Sequence, residues 1–328
     1  MTFARLRLAA LLSMLLLARA AAAALPVFVE LAGAENPLEG VSAGKFSAAG
    51  LGDLDGDGDL DLVAGNQGGT LLYFENTGGA TSPAFTLRSG SEIPLDGLSV
   101  ADGFSTPALV DLDGDGDLDL VVGAHTSGFH YFENTGTPTA AVFVEHTGAA
   151  NPFDGLAPGD VPEPAFADLD GDGDLDLVAG SSDGTFHYFE NTGTPEMPSF
   201  LERTGAANPF DGLAVSGFST AAFADVDGDG DLDLVSGAPD GSFHYFENTG
   251  NATSPAFVEQ TGPANPLDGQ TVGAFSTGSF ANLYGDAVPS LVAGMGSGAF
   301  AVFRAPEPDP MLSGAAAAIA LLAVRRRR

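Results

Sequence analysis

The feature that most constrains this chain is an aspartate-rich motif that recurs at a nearly fixed spacing. The sequence Asp-(Leu/Val)-Asp-Gly-Asp-Gly-Asp-Leu-Asp-Leu-Val occurs four times, starting at Asp53, Asp111, Asp168 and Asp225, with offsets of 58, 57 and 57 residues. A degenerate fifth copy starts 57 residues later, at Asn282. Units of this length cannot bury an apolar face alone, so they must stack or be arranged radially.

Each unit contains four short segments with strand character. In the third unit a β-like run closes at 166–168, and further runs cover 175–179, 186–190 and 199–203, with turn signals such as Asp183-Gly184 between them. No segment of the body has a helical period, and the 45 glycines and 21 prolines suit a chain dense in turns. The sequence therefore predicts an all-β fold, a five-bladed β-propeller of ~57-residue, four-stranded repeats.

The two ends of the repeat region complement each other. The fourth-strand pattern appears at Phe28, before any acidic loop, whereas the last unit stops after its third strand at 301–303. We therefore predict that the N-terminal strand joins the last blade and closes the ring, which leaves no open sheet edge. An open solenoid of the same hairpins is the alternative, because periodicity alone does not fix closure.

The acidic loops predict calcium sites, about four ions in all. Calcium takes six to eight oxygen ligands, and carboxylates that alternate along a tight loop can converge on one ion. In the loop from Asp168, the first, third, fifth and ninth residues would offer side chains, and the seventh, Asp174, a backbone carbonyl. Ala179 stands where an EF-hand has its bidentate glutamate, which disfavours that motif. The candidate metal residues are Asp53, Asp55, Asp57, Asp59, Asp61, Asp111, Asp113, Asp115, Asp117, Asp119, Asp168, Asp170, Asp172, Asp174, Asp176, Asp225, Asp227, Asp229, Asp231 and Asp233.

Two other interpretations of these loops remain open. They could be solvated acidic turns, but five aspartates within nine residues repel one another and need a counter-ion to stay ordered. Magnesium fits less well than calcium because it requires a stricter octahedron and keeps its waters. In the fifth copy Tyr284, Val288 and Ser290 replace three ligand positions, so no strong site is expected there.

The motif and its setting resemble the FG-GAP and VCBS repeats, which occur in integrin α-chains and many bacterial surface proteins. Their Asp-x-Asp-x-Asp-Gly-x-x-Asp loop joins two blade strands, and the resemblance covers about residues 28–303. Gly237-Ala238-Pro239 keeps the Gly-Ala-Pro element of the family, while Gly65-Asn66-Gln67 departs from it. The resemblance implies a calcium-binding propeller exposed outside the cell.

Both ends of the chain resemble export signals. Residues 1–24 have a basic start, an apolar stretch and small residues, as in a signal peptide. The propeller would occupy 25–304. The segment 305–328 resembles a PEP-CTERM sorting signal, with Pro306-Glu307-Pro308, an apolar stretch and four arginines, and this implies processing by an exosortase-type enzyme. A plain membrane anchor is the alternative, although the apolar stretch is short.

The charge balance limits the partners. Acidic residues number 44 and basic residues 11, and seven of the basic residues lie in the end segments, with Arg304 directly before the second one. Such a field repels nucleic acid and anionic lipid, so we expect no nucleic-acid partner and membrane contact only through the tail. The absence of cysteine excludes thiol catalysis and cysteine-ligated zinc.

The sequence favours a non-enzymatic binding or scaffold module at the cell surface or in an extracellular matrix, with polysaccharide or a surface protein as its ligand. The alternative is a lectin or a glycan-processing enzyme on the same propeller. An enzyme needs a unique acid and base, and the unrepeated acids Asp102, Asp160 and Glu163 have no recognisable partner motif. His130, His187 and His244 recur on equivalent strands and are expected to be surface or hydrogen-bonded residues.

Overall fold

The structure, a computed structural model, describes residues 25–90 and 93–305. Within them, twenty strands form five four-stranded antiparallel sheets. No helix in these ranges has the length and apolar character needed to cross a lipid bilayer. The predicted signal peptide and the sorting segment beyond Ala305 lie outside the described residues.

The strand bounds repeat from blade to blade. Blade 1 contains β2 (Ala48–Gly52), β3 (Asp61–Gly65), β4 (Leu72–Asn76) and β5 (Phe85–Arg88). Blade 2 contains β6 (Thr106–Val110), β7 (Asp119–Ala124), β8 (Gly128–Asn134) and β9 (Phe143–His146). Blade 3 contains β10 (Glu163–Ala167), β11 (Asp176–Gly180), β12 (Phe186–Asn191) and β13 (Phe200–Arg203). Blade 4 contains β14 (Ala222–Ala224), β15 (Asp233–Gly237), β16 (Phe243–Asn248) and β17 (Phe257–Gln260).

The fifth blade joins the two ends of the repeat region. Its order is β18 (Ser279–Ala281), β19 (Ser290–Gly294), β20 (Phe300–Arg304) and β1 (Val29–Glu30). Strand β1 runs antiparallel to β20, with Val29 opposite Arg304 and Glu30 opposite Phe303. The predicted five-bladed, all-β fold and its closure by the N-terminal strand are therefore confirmed.

The hydrophobic core lies between neighbouring blades. The second strand of each blade is buried along its whole length, as in Asp176–Gly180, because a blade packs against neighbours on both faces. One cluster joins Tyr188 of blade 3 to Phe246 of blade 4, and another joins Phe74 of blade 1 to Phe300 of blade 5. Apolar packing thus continues across the closure of the ring.

Adjacent blades approach closely near the end of each second strand, where the repeat has glycine. A Cβ atom built on Gly180 would lie 2.2 Å from the carbonyl oxygen of Ser219, which precedes the next blade. Any larger side chain would push the two blades apart. The first strands of all five blades face inward and line a central channel.

Phe28 provides a test of closure. It is fully buried among residues of blades 4 and 5, including Phe303. Replacement by alanine removes a large core side chain, so Phe28→Ala should lower the free energy of unfolding by about 3–5 kcal/mol. Chemical denaturation measures this loss. Val29→Ala is the matched control, since Val29 is 52% exposed, and its effect should stay within about 0.5 kcal/mol. Equal effects of the two variants would contradict closure by this segment.

Candidate metal centre

The acidic loops join the first and second strands of blades 1 to 4. In blade 3 the loop begins at Asp168, directly after β10, and ends at Asp176, the first residue of β11. Because all blades share one strand order, the four loops lie at the same end of the ring.

Three carboxylates meet in each loop. Oxygen atoms of the first, third and fifth residues lie within 4.8 Å of one another. In blade 3, backbone N–H groups of Gly171 and Gly173 donate to Asp168 at 2.7 and 3.2 Å, and the N–H of Asp172 donates to Asp170 at 3.2 Å. The two glycines have φ of 78° and 96°, which side chains rarely tolerate. The triplets are Asp53, Asp55 and Asp57; Asp111, Asp113 and Asp115; Asp168, Asp170 and Asp172; and Asp225, Asp227 and Asp229.

The seventh loop residue adds a carboxylate oxygen that has no hydrogen-bond partner. Asp174 is 6% exposed, and its Oδ1 atom is buried and unsatisfied. Burial, with the Asp172 carboxylate beside it, raises the pKa of Asp174 to about 6. A buried carboxylate oxygen without a donor is satisfied by a proton, an ordered water or a cation, and the carboxylates around it favour a cation, so the loops fit a bound metal ion. The same orphaned Oδ1 occurs in Asp59, Asp117 and Asp231.

The ninth residue lies outside the triplet and is held by protein groups. In blade 3 the Asp176 carboxylate accepts hydrogen bonds from the Tyr188 hydroxyl at 2.9 Å and from the N–H groups of Asn191 and Leu169 at 2.8 and 3.2 Å. Burial raises its pKa to about 6 despite these donors. Asp61, Asp119 and Asp233 are held in the same way. The sequence alone does not connect the tyrosine and the asparagine with this aspartate, although both recur at fixed distances from it.

The donor set is made of oxygen alone. No thiol or imidazole belongs to any of the four triplets. Carboxylate oxygens suit hard divalent cations such as calcium, magnesium and manganese rather than softer transition metals.

Comparison with known proteins agrees with this geometry. The model of the FG-GAP-like repeat matches three overlapping segments, at residues 53–122, 111–179 and 168–236. The chain belongs to the FG-GAP-like repeat family. Each matched segment runs from one acidic loop to the second strand of the next blade.

Solved structures that resemble this FG-GAP-like protein do so at low identity. A lectin of Agrocybe aegerita, described as recognising non-reducing terminal N-acetylglucosamine, is 16% identical over 81% of each chain, with a TM-score of 0.43. BBS1N, solved in complex with ARL6DN, is 14% identical, with 86% of this chain and 98% of that chain covered and a TM-score of 0.36. No curated protein is significantly similar to the chain.

The degenerate fifth loop, in blade 5, lies beside a cation of the protein itself. Both Nε and Nη2 of Arg304 donate to the carboxylate of Asp286, the fifth loop residue, and the Nη2–Oδ1 distance is 2.7 Å. The guanidinium carbon lies 4.4 Å from the ring centroid of Tyr284, the third loop residue. Arg304 on β20 occupies the position that Glu247 occupies on β16, the equivalent strand of blade 4. An internal guanidinium thus lies among the residues that correspond to the triplet.

In the fifth blade, both residues of the Asp–Tyr hydrogen bond found behind the other four loops are replaced. Ser290 stands in place of the ninth aspartate, and Val302 in place of the tyrosine that would donate to it. Because Asp and Tyr are lost together in this copy, the sequence indicates that the two positions interact. The prediction that this loop has no strong ion site is untested, and the presence of Arg304 agrees with it.

In blades 1 and 3 the next blade covers the acidic loop. The methyl group of Thr139, in the loop between β8 and β9 of blade 2, lies against Gly56 of the blade 1 loop. Thr253 of blade 4 lies in the same way against Gly171 of blade 3. Ordering a loop therefore orders the contact between two blades as well.

The ion pair of blade 5 can be tested by mutation. Arg304→Ala removes the guanidinium partner of Asp286, whose side chain is 7% exposed. Since Arg304 itself is 36% exposed, solvent screening keeps the expected loss of unfolding free energy to about 1–2 kcal/mol. Denaturation in the presence of chelator measures it. The control is Arg88→Ala, which breaks the exposed pair with Glu75 and should have the smaller effect. A loss no greater than that of the control would contradict a stabilising role for Arg304.

Proposed function

We propose that this protein is a calcium-binding β-propeller that serves as a binding or scaffold module outside the cell, with calcium in a structural role. The observation that carries the proposal is the set of four carboxylate triplets, each with an orphaned buried oxygen beside it. Calcium is the favoured ion because irregular, all-oxygen sites suit it better than magnesium. When bound, the ion neutralises each loop, and the protein residues around it fix the loop between two strands.

Export is part of the proposal and is supported by the sequence of the two ends. Residues 1–24 have the order of a signal peptide, and Pro306-Glu307-Pro308 opens a segment that resembles a sorting signal processed by an exosortase. Sites of this kind in extracellular modules bind calcium with dissociation constants of about 0.1–1 mM, which suits calcium levels outside the cell. The protein would then lie at the cell surface or in the matrix, with its tail as a transient anchor.

A binding role is favoured over catalysis by the arrangement of the hydroxyl and imidazole groups. In blade 2 the Ser127 hydroxyl lies 2.8 Å from His130 Nε2, and His130 Nδ1 lies 2.8 Å from Glu145. This is the order of nucleophile, base and orienting acid. The N–H groups of Thr126 and Ser127, however, both donate to Asp102. The donors that could stabilise an oxyanion at Ser127 are therefore occupied.

One observation favours glycan binding as the second candidate function. His–Glu pairs recur at equivalent surface positions in blades 2, 3 and 4, with Nδ1–Oε1 distances of 2.8, 3.1 and 2.7 Å. In blade 3, His187 and Glu202 line a cleft of about 290 Å³ with Asn208 and Asp211. Three equivalent His–Glu pairs would suit weak, multivalent binding. Binding on a glycan array that is lost in His187→Ala, with calcium held constant, would support this candidate.

Calcium titration tests the proposed function. The full chain should bind about four ions in calorimetry, and magnesium should compete poorly. Binding to the native state alone stabilises it by about 2.7 kcal/mol per site when free calcium is 100 times the dissociation constant. The melting temperature should therefore rise with calcium and fall after chelation. An unchanged melting temperature and no heat of binding would contradict the proposal.

A single-loop variant tests the assignment of residues. Asp172→Asn removes one charge from the blade 3 triplet, so the number of bound ions should fall from about four to about three while the other sites keep their affinity. Asp154→Asn is the matched control, because Asp154 is exposed and belongs to no triplet. A stoichiometry that stays at four in Asp172→Asn would overturn the assignment.

A further inference from the structure

The third blade departs from the repeat at the mouth of the central channel. Blades 2, 4 and 5 begin with Phe-Ser-Thr, at Phe104, Phe218 and Phe275, and blade 1 begins with Phe46-Ser47-Ala48. In blade 3 the corresponding residues are Val161-Pro162-Glu163. One carboxylate thus replaces a small residue at a position that faces the channel.

The first residues of these segments line one cavity and together form what we call the plug: Phe46, Phe104, Val161, Phe218 and Phe275. The rings of Phe46 and Phe275 are 4.8 Å apart, those of Phe46 and Phe104 are 5.6 Å apart, and those of Phe218 and Phe275 are 6.0 Å apart. Val161 takes the fifth place, so the plug is smaller on that side.

The backbone of the plug is strained. Phe46, Phe104 and Phe275 have φ of 54°, and Val161 has φ of 52°. This left-handed conformation is unfavourable for bulky residues and most of all for a β-branched one. Hydrogen bonds to the neighbouring blade hold it, as from the Val161 N–H to the His125 carbonyl at 3.0 Å. Strain of this kind persists where the surrounding structure imposes it, often at functional sites.

Glu163 follows Val161 by two residues and lies beside the plug. It lines a cavity of about 200 Å³ together with the plug residues and the hydroxyl residues that follow them. It also lines a second cavity of about 320 Å³ among the first strands of the blades. Its carboxylate accepts a hydrogen bond from the N–H of Gly278, which belongs to blade 5. The side chain therefore spans the channel between the two cavities.

The channel offers this carboxylate little to balance its charge. Burial raises the pKa of Glu163 to about 8, and the Gly278 N–H only partly opposes that effect. In the described part of the chain no Lys, Arg or His forms an ion pair with it. The hydroxyls of Ser105, Ser219 and Ser276 donate to backbone carbonyls. A carboxylate in such surroundings stays neutral or takes up a cation.

We propose that the central channel binds one small organic ammonium ion, with the Glu163 carboxylate as its counter-charge and the plug phenyl rings as its apolar wall. Ring faces attract ammonium groups, and most strongly where water is excluded. A hard metal ion is disfavoured because it would require several oxygen ligands, and Glu163 is the one carboxylate among the described residues that lines this space. The cavity of about 200 Å³ limits the ligand to a few heavy atoms. This site is separate from the acidic loops and does not depend on their metal.

Tetramethylammonium is the probe for the test, because its charge is fixed at every pH. It is titrated into the full chain in saturating calcium and about 0.15 M salt, where exposed acidic groups are screened. Wild-type protein should bind one ion per chain at the channel, and tert-butanol, a neutral molecule of similar size, should bind at least tenfold more weakly. Absence of tetramethylammonium binding to folded wild-type protein would overturn the proposal.

Two variants assign the binding to Glu163. Glu163→Thr installs the residue that blades 2, 4 and 5 have at this position, so it should fold, and it should weaken binding at least tenfold. Asp154→Asn removes one exposed charge and should leave binding unchanged. Equal affinity of Glu163→Thr and wild type would overturn the proposal, as would an equal loss in both variants.

The pH dependence provides an independent readout. Only the ionised carboxylate attracts the probe, so affinity should rise about tenfold from pH 6 to pH 7 and level off above the pKa of about 8. The other titratable groups around the mouth are Lys45, Asp102, His125 and Asp160, which precede plug residues or, in the case of His125, contact Phe104. Glu163→Thr should remove the dependence. If the pH dependence persists in this variant, it comes from the titratable groups around the mouth, and the proposal is contradicted.

Discussion

Repulsion among carboxylates is the constraint on which the structure depends. Each of four loops holds five aspartates within nine residues, and the first, third and fifth of these bring their oxygens within 4.8 Å of one another. The loops also connect the innermost strand of a blade to its fully buried second strand. We propose that a cation orders each of these loops, so that the order of the blade and the presence of the cation are coupled.

The fifth blade shows a second solution to the same problem. It has lost most of its loop acids, and the guanidinium of Arg304 lies on Asp286 and Tyr284. This blade is also the one that joins β1 to β20 and closes the ring. The chain therefore closes its ring with an internal cation, whereas the four blades made of continuous sequence contain the proposed ion sites. In the proposed account, closure and ion binding are separated within one fold.

Much of the fold could be predicted because the same pattern of strands and turns recurs in each repeat. Four strands per unit, the missing fourth strand at one end and its presence at Phe28 are local patterns that predict a closed ring. The acidic loops could be predicted equally well, since alternating aspartates and glycines are typical of a tight turn lined with oxygen ligands. The hydrogen bond from Tyr188 to Asp176 was not legible, because it joins residues twelve positions apart whose types have other common explanations. The contact of Arg304 with Asp286 was missed for the same reason. Glu163 was recognised as unrepeated, but only the ring geometry places it in the channel beside the plug.

The most direct test is a crystal structure of the protein grown in calcium, with an anomalous difference map recorded at long wavelength. The account predicts four peaks, one among the aspartates of each loop in blades 1 to 4, and none beside Arg304. A map without peaks in well-ordered loops would contradict the claim that a cation holds them. A peak at the fifth loop as strong as the others would contradict the role assigned to the guanidinium.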